Sequence, residues 1–242
     1  MTLLSPSDTA KNTAAVAAVT LVEDGMRLGL GTGSTAAFMV RRLAERVKNE
    51  GLNLRCASTS QVTADLAESL GIRIETLDEI GWLDLTLDGA DELDPELNLI
   101  KGGGAALLRE KIVARASDRM VVLADFGKVV DQLGAFKLPV EVIGFGWQVT
   151  QELISRTLID LNLADRPIVL RQRNGRPVRT DEGNLILDLS LGAIPDPLAL
   201  TGALNAIPGV VENGLFLGIC DLAIIGHADG KVSSLTAEGE PK

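Results

Sequence analysis

Residues 88–110 collect carboxylates, a lysine and glycines within one short segment. Asp88 and Asp91 flank two small residues, Gly89 and Ala90. Carboxylates crowded in this way raise one another's pKa and can exchange protons with hydroxyl groups near neutral pH. The alternative is an acidic turn whose aspartates accept nearby backbone N–H groups.

A lysine and a glycine triplet follow in the same segment, before a helix-like stretch. Lys101 precedes Gly102, Gly103 and Gly104 directly. A lysine here can neutralise developing negative charge, and three glycines leave backbone amides open to a ligand. A purely structural turn rarely needs the backbone entropy that three glycines cost.

Glu110 is a further candidate, a carboxylate on the helix-like stretch that follows the glycines. It lies seven residues after Gly103 and four after Ala106, so a helix beginning at the alanines would place all three on one face. Glu110 would then point back toward the glycines. The alternative is a surface glutamate paired with Lys111 or Arg115. Two further acids of the segment, Glu92 and Asp94, are expected to be solvated turn residues without a chemical role.

The stretch "GLGTGST", residues 29–35, combines glycines and hydroxyls at a predicted strand-to-helix turn. Exposed amides, hydroxyl donors and the positive end of a helix together form a phosphate cradle. The alternative is a glycine turn with hydroxyls that cap the helix. The spacing fits neither a Walker loop nor the dinucleotide fingerprint. The cradle residues are Thr32, Gly33, Ser34 and Thr35.

Other polar residues have weaker signals. Lys11 and Lys128 are candidate phosphate partners, although each also fits an ordinary surface lysine. Ser60 in "TSQVT" is expected to cap a helix rather than contact a substrate. His227 is expected to be structural, and a single histidine argues against a histidine-rich metal site. No metal site is predicted.

The bulk composition limits the class of protein. The chain has 242 residues with 46% hydrophobic content and a net charge of −10, so it can bury a sizeable core. No block of basic residues favours nucleic acid, and no stretch is long and apolar enough to span a membrane. The two cysteines, Cys56 and Cys220, fit buried thiols better than a disulfide. We therefore expect a cytoplasmic protein.

Strand and helix patterns alternate in the first half of the chain. The alternation predicts an α/β fold with a mostly parallel sheet and helices on both faces. In such sheets ligands bind at the carboxyl ends of the strands, where the glycine turn, Thr59 and Ser60, the aspartates and Asp125 would meet. The predicted strands comprise "MRLGLG", "LRCAST", "IRIETL" (residues 72–77), "WLDLTLDGAD" and "RMVVLAD".

The pattern changes near residue 137. A strand, a helix, two strands and a helix indicate a compact α+β unit, and the apolar run over residues 210–230 would return to the main sheet. We predict a main domain of residues 1–136 and 208–242, and an inserted domain of residues 137–207.

Several segments together resemble ribose-5-phosphate isomerase of the A type. They occur in order from about Lys11 to about Gly226, so the resemblance covers nearly the whole chain. The resemblance implies a Rossmann-like domain with a smaller ferredoxin-like α+β domain, assembled as a homodimer or homotetramer. The segments are "GTGSTA", "TSQVT", "DGADELDPELNLIKGGGAALLREK", "DFGKVVDQLGAFKLPVEV", "TDEGNLILD" and "IPGVVENGLF".

The resemblance also implies an activity, the interconversion of D-ribose 5-phosphate and D-ribulose 5-phosphate without metal or cofactor. The family's base matches Glu110, its paired acids Asp88 and Asp91, and its lysine Lys101. Glu110 would carry the carbon-bound proton through an enediolate, the aspartates would open the sugar ring, and Lys101 would stabilise the charge. The expected substrate contacts are Lys11, Thr32, Gly33, Ser34, Thr35, Gly89, Ala90, Gly102, Gly103, Gly104 and Lys128.

Departures from the family pattern are small. Cys220 stands where an alanine is common, and Leu108 where many members have a small polar residue. Related folds leave three alternatives: a sugar-phosphate sensor, a coenzyme A transferase and an amino-sugar phosphate deaminase. A sensor should carry a basic DNA-binding module, which we do not expect here. In a transferase, Lys101 and the aspartates would have no clear role.

Overall fold

The computed structural model describes residues 4–236, with strands and helices alternating through the first half. The helices are α1 (Pro6–Val19), α2 (Ser34–Glu50), α3 (Gln61–Ser69), α4 (Leu77–Ile80), α5 (Leu107–Arg115), α6 (Trp147–Asp160) and α7 (Pro197–Asn205). The strands are β1 (Arg27–Leu30), β2 (Arg55–Ser58), β3 (Leu85–Gly89), β4 (Glu92–Leu93), β5 (Leu99–Ile100), β6 (Met120–Asp125), β7 (Leu138–Val142), β8 (Ile168–Leu170), β9 (Gln172–Arg173), β10 (Arg176–Pro177), β11 (Leu185–Leu189), β12 (Val210–Asn213), β13 (Leu215–Phe216), β14 (Leu222–Gly226) and β15 (Val232–Thr236).

A six-stranded sheet forms the main unit, in the order β15-β14-β6-β3-β1-β2. All neighbouring strands are parallel except β15, which runs antiparallel to β14. The predicted α/β fold with a mostly parallel sheet is confirmed. The register aligns Leu30 with Ser58 on one side and with Leu87 on the other, so the ends of β1, β2 and β3 meet at one edge.

Alternation along β3 divides its side chains between the two faces of the sheet. Leu85 and Leu87 pack into the core beneath α1 and α2. Thr86 and Asp88 point to the opposite face, where Val113 of α5 packs near the sheet. The pleat therefore directs a carboxylate from the sheet toward the helix that carries Glu110.

The predicted strand over residues 72–77 is wrong. Only Ile74 makes a bridge, with Cys56 at the edge of the sheet. Thr76 instead caps the short helix α4, and Glu79 closes a reciprocal capping box. The two side-chain bonds satisfy amides at the helix start, which favours a helical turn over a longer edge strand.

The smaller unit is built on a four-stranded antiparallel sheet, in the order β12-β7-β11-β8. Helices α6 and α7 contribute Ile154, Leu158, Leu200 and Leu204 to the core on one of its faces. On the other face, Ile186 packs against Leu107 at the start of α5. This face of the smaller sheet is therefore in contact with the segment that bears Glu110.

The division into two domains stays a prediction. Strand β12 pairs with β7, so the smaller sheet includes residues 210–213, beyond the predicted range of 137–207. The apolar run over 210–230 thus returns to the main sheet only at β14, while β13 joins a small sheet with β4 and β5. Residues 1–3 and 237–242 of the predicted main domain lie outside the described residues.

Cys56 and Cys220 are free and buried, and burial raises the pKa of each thiol to about 12. The preference for buried thiols is confirmed.

His227 lies at the turn after β14, with Nε2 2.9 Å from Oγ of Ser233. Within residues 4–236, none of the helices has the length and apolar character needed to cross a bilayer.

Candidate active site

The site forms where the order of strands reverses. The chain passes from β1 to β2 on one side and then to β3 on the other, which opens a crevice at the carboxyl ends of β1 and β3. The backbone N–H of Thr32, after β1, donates to Oδ1 of Asp88 at 3.0 Å. This bond holds the glycine turn against the end of β3.

A cavity of about 340 Å³ lies in this crevice. It brings together every predicted site residue except Asp88. Asp125, which was expected at this edge although not as a substrate contact, also lines the cavity, and sequence reasoning missed two further lining residues, Ser7 and Gly127. The predicted residues in its wall are Lys11, Thr32, Gly33, Ser34, Thr35, Gly89, Ala90, Asp91, Lys101, Gly102, Gly103, Gly104, Glu110 and Lys128.

Three charged side chains form a buried cluster at the base of the cavity. Nζ of Lys101 lies 2.9 Å from Oδ2 of Asp88 and 3.0 Å from Oε1 of Glu110. The same ammonium donates to the carbonyl of Gly89 at 2.5 Å. Lys101, Asp88 and Glu110 are 2%, 0% and 3% exposed, so water screens these charges little.

The charges of this cluster do not balance when all three groups are ionised. Burial raises the pKa of Glu110 to about 8, with Lys101 opposing the shift and Asp88 adding to it. Burial also raises the pKa of Asp88, against the attraction of Lys101. For Lys101, burial lowers the pKa, but the two carboxylates outweigh it and the pKa rises. One cation between two carboxylates therefore favours a shared proton near neutral pH.

Glu110 has one anchored oxygen and one free oxygen. Oε1 accepts from Lys101, whereas Oε2 is buried and has no hydrogen-bond partner among the described residues. The helix that carries Glu110 starts at Leu107, so Gly103 and Ala106 precede the helix instead of sharing its face as predicted. Glu110 still lies in the first turn, near the positive end of the helix.

The surface alternative for Glu110 is wrong. Lys111 pairs with Glu212 at 2.9 Å and donates to the carbonyl of Asn213 at 2.7 Å. Its ammonium also lies 4.8 Å from the centre of the Phe216 ring. Lys111 thus contacts β12 and β13, and the ion-pair partner of Glu110 is Lys101.

Asp88 lies behind the cavity wall. Its Oδ1 accepts from the N–H groups of Thr32 and Gly89, at 3.0 and 2.7 Å. A Cβ atom placed on Gly31 would lie 2.0 Å from that oxygen, so only glycine lets the turn approach the carboxylate so closely. Asp88 thus contacts Lys101 and the glycine turn, and it is not among the residues that line the cavity.

Asp91 faces the cavity beside the glycine triplet. Its Oδ2 accepts from the N–H of Gly103 at 2.7 Å. A Cβ atom on Gly103 would lie 2.6 Å from Oδ1 of Asp91, and Gly102 has a φ of +104°, which favours glycine. The triplet therefore permits a close approach and a sharp turn, as its composition suggested.

The start of α2 presents unpaired donors to the cavity. Its N-cap is Gly33, with a φ of 113° and no side-chain cap. The hydroxyls of Ser34 and Thr35 make no hydrogen bond to other described residues, so they are available to an anion with the helix N–H groups. The hydroxyl of Thr32 instead lies 2.7 Å from that of Thr59 and donates to Ser60 at 2.7 Å.

The prediction that Ser60 caps a helix is confirmed. Its Oγ accepts from the N–H of Thr63 at 3.2 Å at the start of α3.

The two candidate lysines border the cavity. Nζ of Lys11 lies 3.6 Å from Asp8, and Nζ of Lys128 lies 5.9 Å from the centre of the Phe136 ring. Both can bring positive charge to an anion held by α2.

Glu92 and Asp94 are buried, so the expectation that they are solvated is wrong. Glu92, 4% exposed, accepts from the N–H groups of Gly134 and Phe136. Asp94, 8% exposed, accepts from the N–H groups two and four residues later, at 3.0 and 2.8 Å. Both carboxylates satisfy backbone donors in loops beside the site.

This combination of fold and site defines an α/β enzyme that acts on a phosphorylated small molecule. The family model for ribose 5-phosphate isomerase A (phosphoriboisomerase A) matches residues 55–230. The chain belongs to this family. The resemblance inferred from the sequence motifs is confirmed.

Relatives and solved structures agree with this assignment. A ribose-5-phosphate isomerase A of Cereibacter sphaeroides is 63% identical over 230 residues, which cover 95% of this chain and 88% of the relative. A ribose 5-phosphate isomerase structure from Plasmodium falciparum is similar with a TM-score of 0.90 and 35% identity, covering 96% of this chain and 100% of the other. A D-ribose-5-phosphate isomerase in complex with phospho-erythronic acid gives a TM-score of 0.87 at 38% identity, with coverage of 96% and 100%.

Proposed function

We propose that this chain interconverts D-ribose 5-phosphate and D-ribulose 5-phosphate through an enediolate, without a metal ion. The observation that carries the proposal is the free Oε2 of Glu110, held in a cavity wall that also contains the start of α2. A phosphate at Ser34 and Thr35 would fix one end of the substrate. The other end would then lie against Glu110.

Glu110 is proposed to move the carbon-bound proton. Its Oε2 takes the proton from C2 of the open-chain aldose, so that C1 and C2 become doubly bonded and negative charge develops on O1. The same oxygen returns the proton to C1. A pKa near 8 suits both steps, because a base that must also act as an acid works best near the operating pH.

Asp91 is proposed to move the oxygen-bound protons. O2 loses a proton as the ketone forms and O1 gains one, and Asp91 is a half-buried carboxylate in the cavity wall beside the glycine triplet. Ring opening needs the same kind of transfer between oxygens. Asp88 is buried behind Gly31, so we assign it to holding Lys101 rather than to direct contact with the sugar.

Lys101 and the glycine amides are proposed to stabilise the enediolate. The ammonium already contacts Gly89, Asp88 and Glu110, so it acts mainly through its charge in a poorly screened site. Phospho-erythronic acid, which binds a relative, carries a carboxylate and a phosphate on one four-carbon chain. The negative charge of its carboxylate resembles the charge of an enediolate, which supports this assignment of the site.

The proposed assembly is a homodimer or homotetramer in the cytoplasm. Trp82, Ile112 and Leu198 are exposed in a groove of about 650 Å³ whose lining is mostly apolar but includes Lys111, Arg115 and Glu212, and a second copy would remove this surface from water. Analytical ultracentrifugation of the native chain tests the assembly. A monomer at micromolar concentration would contradict it.

The deciding experiment is an isomerisation assay after treatment with a chelator. Ribose 5-phosphate should be converted to ribulose 5-phosphate at an undiminished rate, whereas arabinose 5-phosphate, the C2 epimer, should be converted poorly. Phospho-erythronic acid should inhibit competitively. Absence of ketose formation, exchange of acyl groups from coenzyme A, or release of ammonia from an amino-sugar phosphate would each overturn the proposal.

A further inference from the structure

One side chain of the smaller unit reaches the glycine triplet of the main unit. Nη1 of Arg171 donates to the carbonyl of Gly102 at 2.8 Å and to that of Gly103 at 3.1 Å. Arg171 links β8 to β9, and neither strand belongs to the six-stranded sheet that carries the cavity. These contacts therefore connect the smaller unit directly to a wall of the cavity.

Arg171 and Asp91 hold the two ends of one peptide group. The carbonyl of Gly102 and the N–H of Gly103 belong to the same planar unit, and in a trans peptide they point in opposite directions. Arg171 binds the carbonyl, while Asp91 accepts from the N–H at 2.7 Å. The orientation of this peptide, and with it the position of the Asp91 carboxylate, thus depends on Arg171.

The next peptide is oriented in the same way. Arg171 binds the carbonyl of Gly103, so the N–H of Gly104 must point away from the arginine. Gly104 lies in the cavity wall, and its N–H donates to none of the residues 4–236. This N–H is available as a donor to negative charge on a ligand.

The guanidinium itself is fixed by a carboxylate. Nε and Nη2 of Arg171 donate to the two oxygens of Asp188 at 2.9 and 2.5 Å. The two side chains are 15% and 14% exposed. A bidentate pair of this kind leaves little rotational freedom, so the remaining N–H groups stay directed at the glycine carbonyls.

We infer that Arg171 is a positioning residue, which directs the Gly103 amide at Asp91, and so fixes that carboxylate, and directs the Gly104 amide toward the enediolate end of the substrate. The inference rests on the proposed function for the identity of that substrate. It assigns the smaller unit a part in the reaction, although none of its side chains lines the cavity.

The test compares two inhibitors that report different parts of the cavity. Inorganic phosphate reports the start of α2, whereas phospho-erythronic acid also engages the amides near Asp91. In Arg171→Met, which keeps much of the packing but removes the donors, we expect phospho-erythronic acid to bind about 10-fold more weakly. Phosphate should bind within about twofold of the wild type, and kcat should fall about 10-fold or more.

Binding is measured by calorimetry, so this result does not depend on turnover. Arg176→Met is the matched control, because Arg176 is exposed on the neighbouring hairpin and its side chain makes no hydrogen bond or ion pair with other described residues. Circular dichroism and thermal unfolding establish that each variant is folded. If Arg171→Met does not fold, Arg171→Lys replaces it, since a single ammonium cannot hold both carbonyls and Asp188.

A double substitution with Asp91 distinguishes a positioning role of Arg171 from a purely structural one. In an Asp91→Ala background, the Arg171 substitution should cost kcat several-fold less than in the wild type, because the route through the Gly103 peptide is already lost. Equal weakening of both inhibitors, unchanged binding of both, or fully additive effects would overturn the inference. A wild-type chain that binds both inhibitors but does not isomerise ribose 5-phosphate would refute the proposed function alone.

Discussion

Oε1 of Glu110 lies 3.0 Å from Nζ of Lys101, and both side chains are almost fully buried. The pair fixes one oxygen of the carboxylate while the other has no partner among the described residues. The contact with Lys101 fixes the orientation of the carboxylate and leaves Oε2 able to accept a proton.

Glu110→Gln should abolish nearly all turnover while the chain stays folded. The amide keeps the shape of the side chain and can still accept from Lys101, but it cannot take a proton from carbon. We expect kcat to fall by about 10²-fold or more, with a smaller change in KM. Steady-state assays with ribose 5-phosphate measure both.

Glu152→Gln is the matched control for this variant. Glu152 lies on the exposed surface of α6 and pairs with Arg156 at 3.1 Å, so its loss should not change kcat. Retention of more than a third of wild-type turnover by Glu110→Gln would show that Glu110 is not the base.

The activity of the free enzyme should depend on the ionisation of Glu110. Because burial raises the pKa of this group to about 8, the fraction of active carboxylate grows as pH rises through that value. We expect kcat/KM to rise from pH 6 to about pH 8 and then to level. A profile that is flat from pH 6 to pH 9 would contradict the assignment.

The same shift predicts a pH dependence of stability. Between the ordinary pKa of 4.5 and the raised value of about 8, the folded state binds more protons than the unfolded state, so the free energy of unfolding should decrease as pH rises. Glu110→Gln lacks this contribution. Its Tm, measured relative to the wild type, should therefore increase from pH 5 to pH 9, and a constant difference would refute the shift.

Gly31→Ala should disturb the site through Asp88. The added Cβ would lie 2.0 Å from Oδ1 of that carboxylate, so the turn or the side chain must move. We expect a loss of about 1–3 kcal/mol in unfolding free energy and a lower kcat. Gly202→Ala in α7 is the control, because its new Cβ would meet nothing within 4 Å beyond its chain neighbours and the backbone of its own helix, and alanine favours a helix.

Ser34→Ala and Thr35→Val should weaken the hold on phosphate. Each removes a hydroxyl at the start of α2 that is free to donate to an anion. We expect KM to rise about 10-fold per hydroxyl, with kcat within about threefold. In Ser69→Ala, which removes a hydroxyl bound to the carbonyl of Leu66 in α3, KM should not change. A fall in kcat without a rise in KM would contradict the phosphate assignment.

The parts of the site that are local in sequence could be predicted. Alternation of strand and helix patterns implies parallel strands, and parallel strands bring their carboxyl ends to one edge. This reasoning brought the glycine turn and Asp91 to one edge, and both line the cavity. The alternation of residues along β3 is a further signal in the sequence. Leu85 and Leu87 occupy one face of the strand, so Asp88 points toward the opposite face, which carries Glu110.

Contacts between distant segments could not be predicted. Arg171 lies 69 residues from Gly102, and Glu92 binds an amide 42 residues later. No pattern in either segment identifies these partners, because they depend on how two sheets dock. The predicted strand over residues 72–77 is wrong for a different reason, because the capping box of Thr76 and Glu79 starts a helix there.

The insertion between β6 and β14 has a consequence for the order of folding. Val121 and Leu222 are paired neighbours in the main sheet, so closing that edge requires a loop of about a hundred residues, which is entropically costly. Inside the loop, Val142 and Val210 pair in the smaller sheet. If the smaller sheet forms first, it brings the ends of the loop together, and the edge of the main sheet closes as though a short crossover joined the parallel strands β6 and β14.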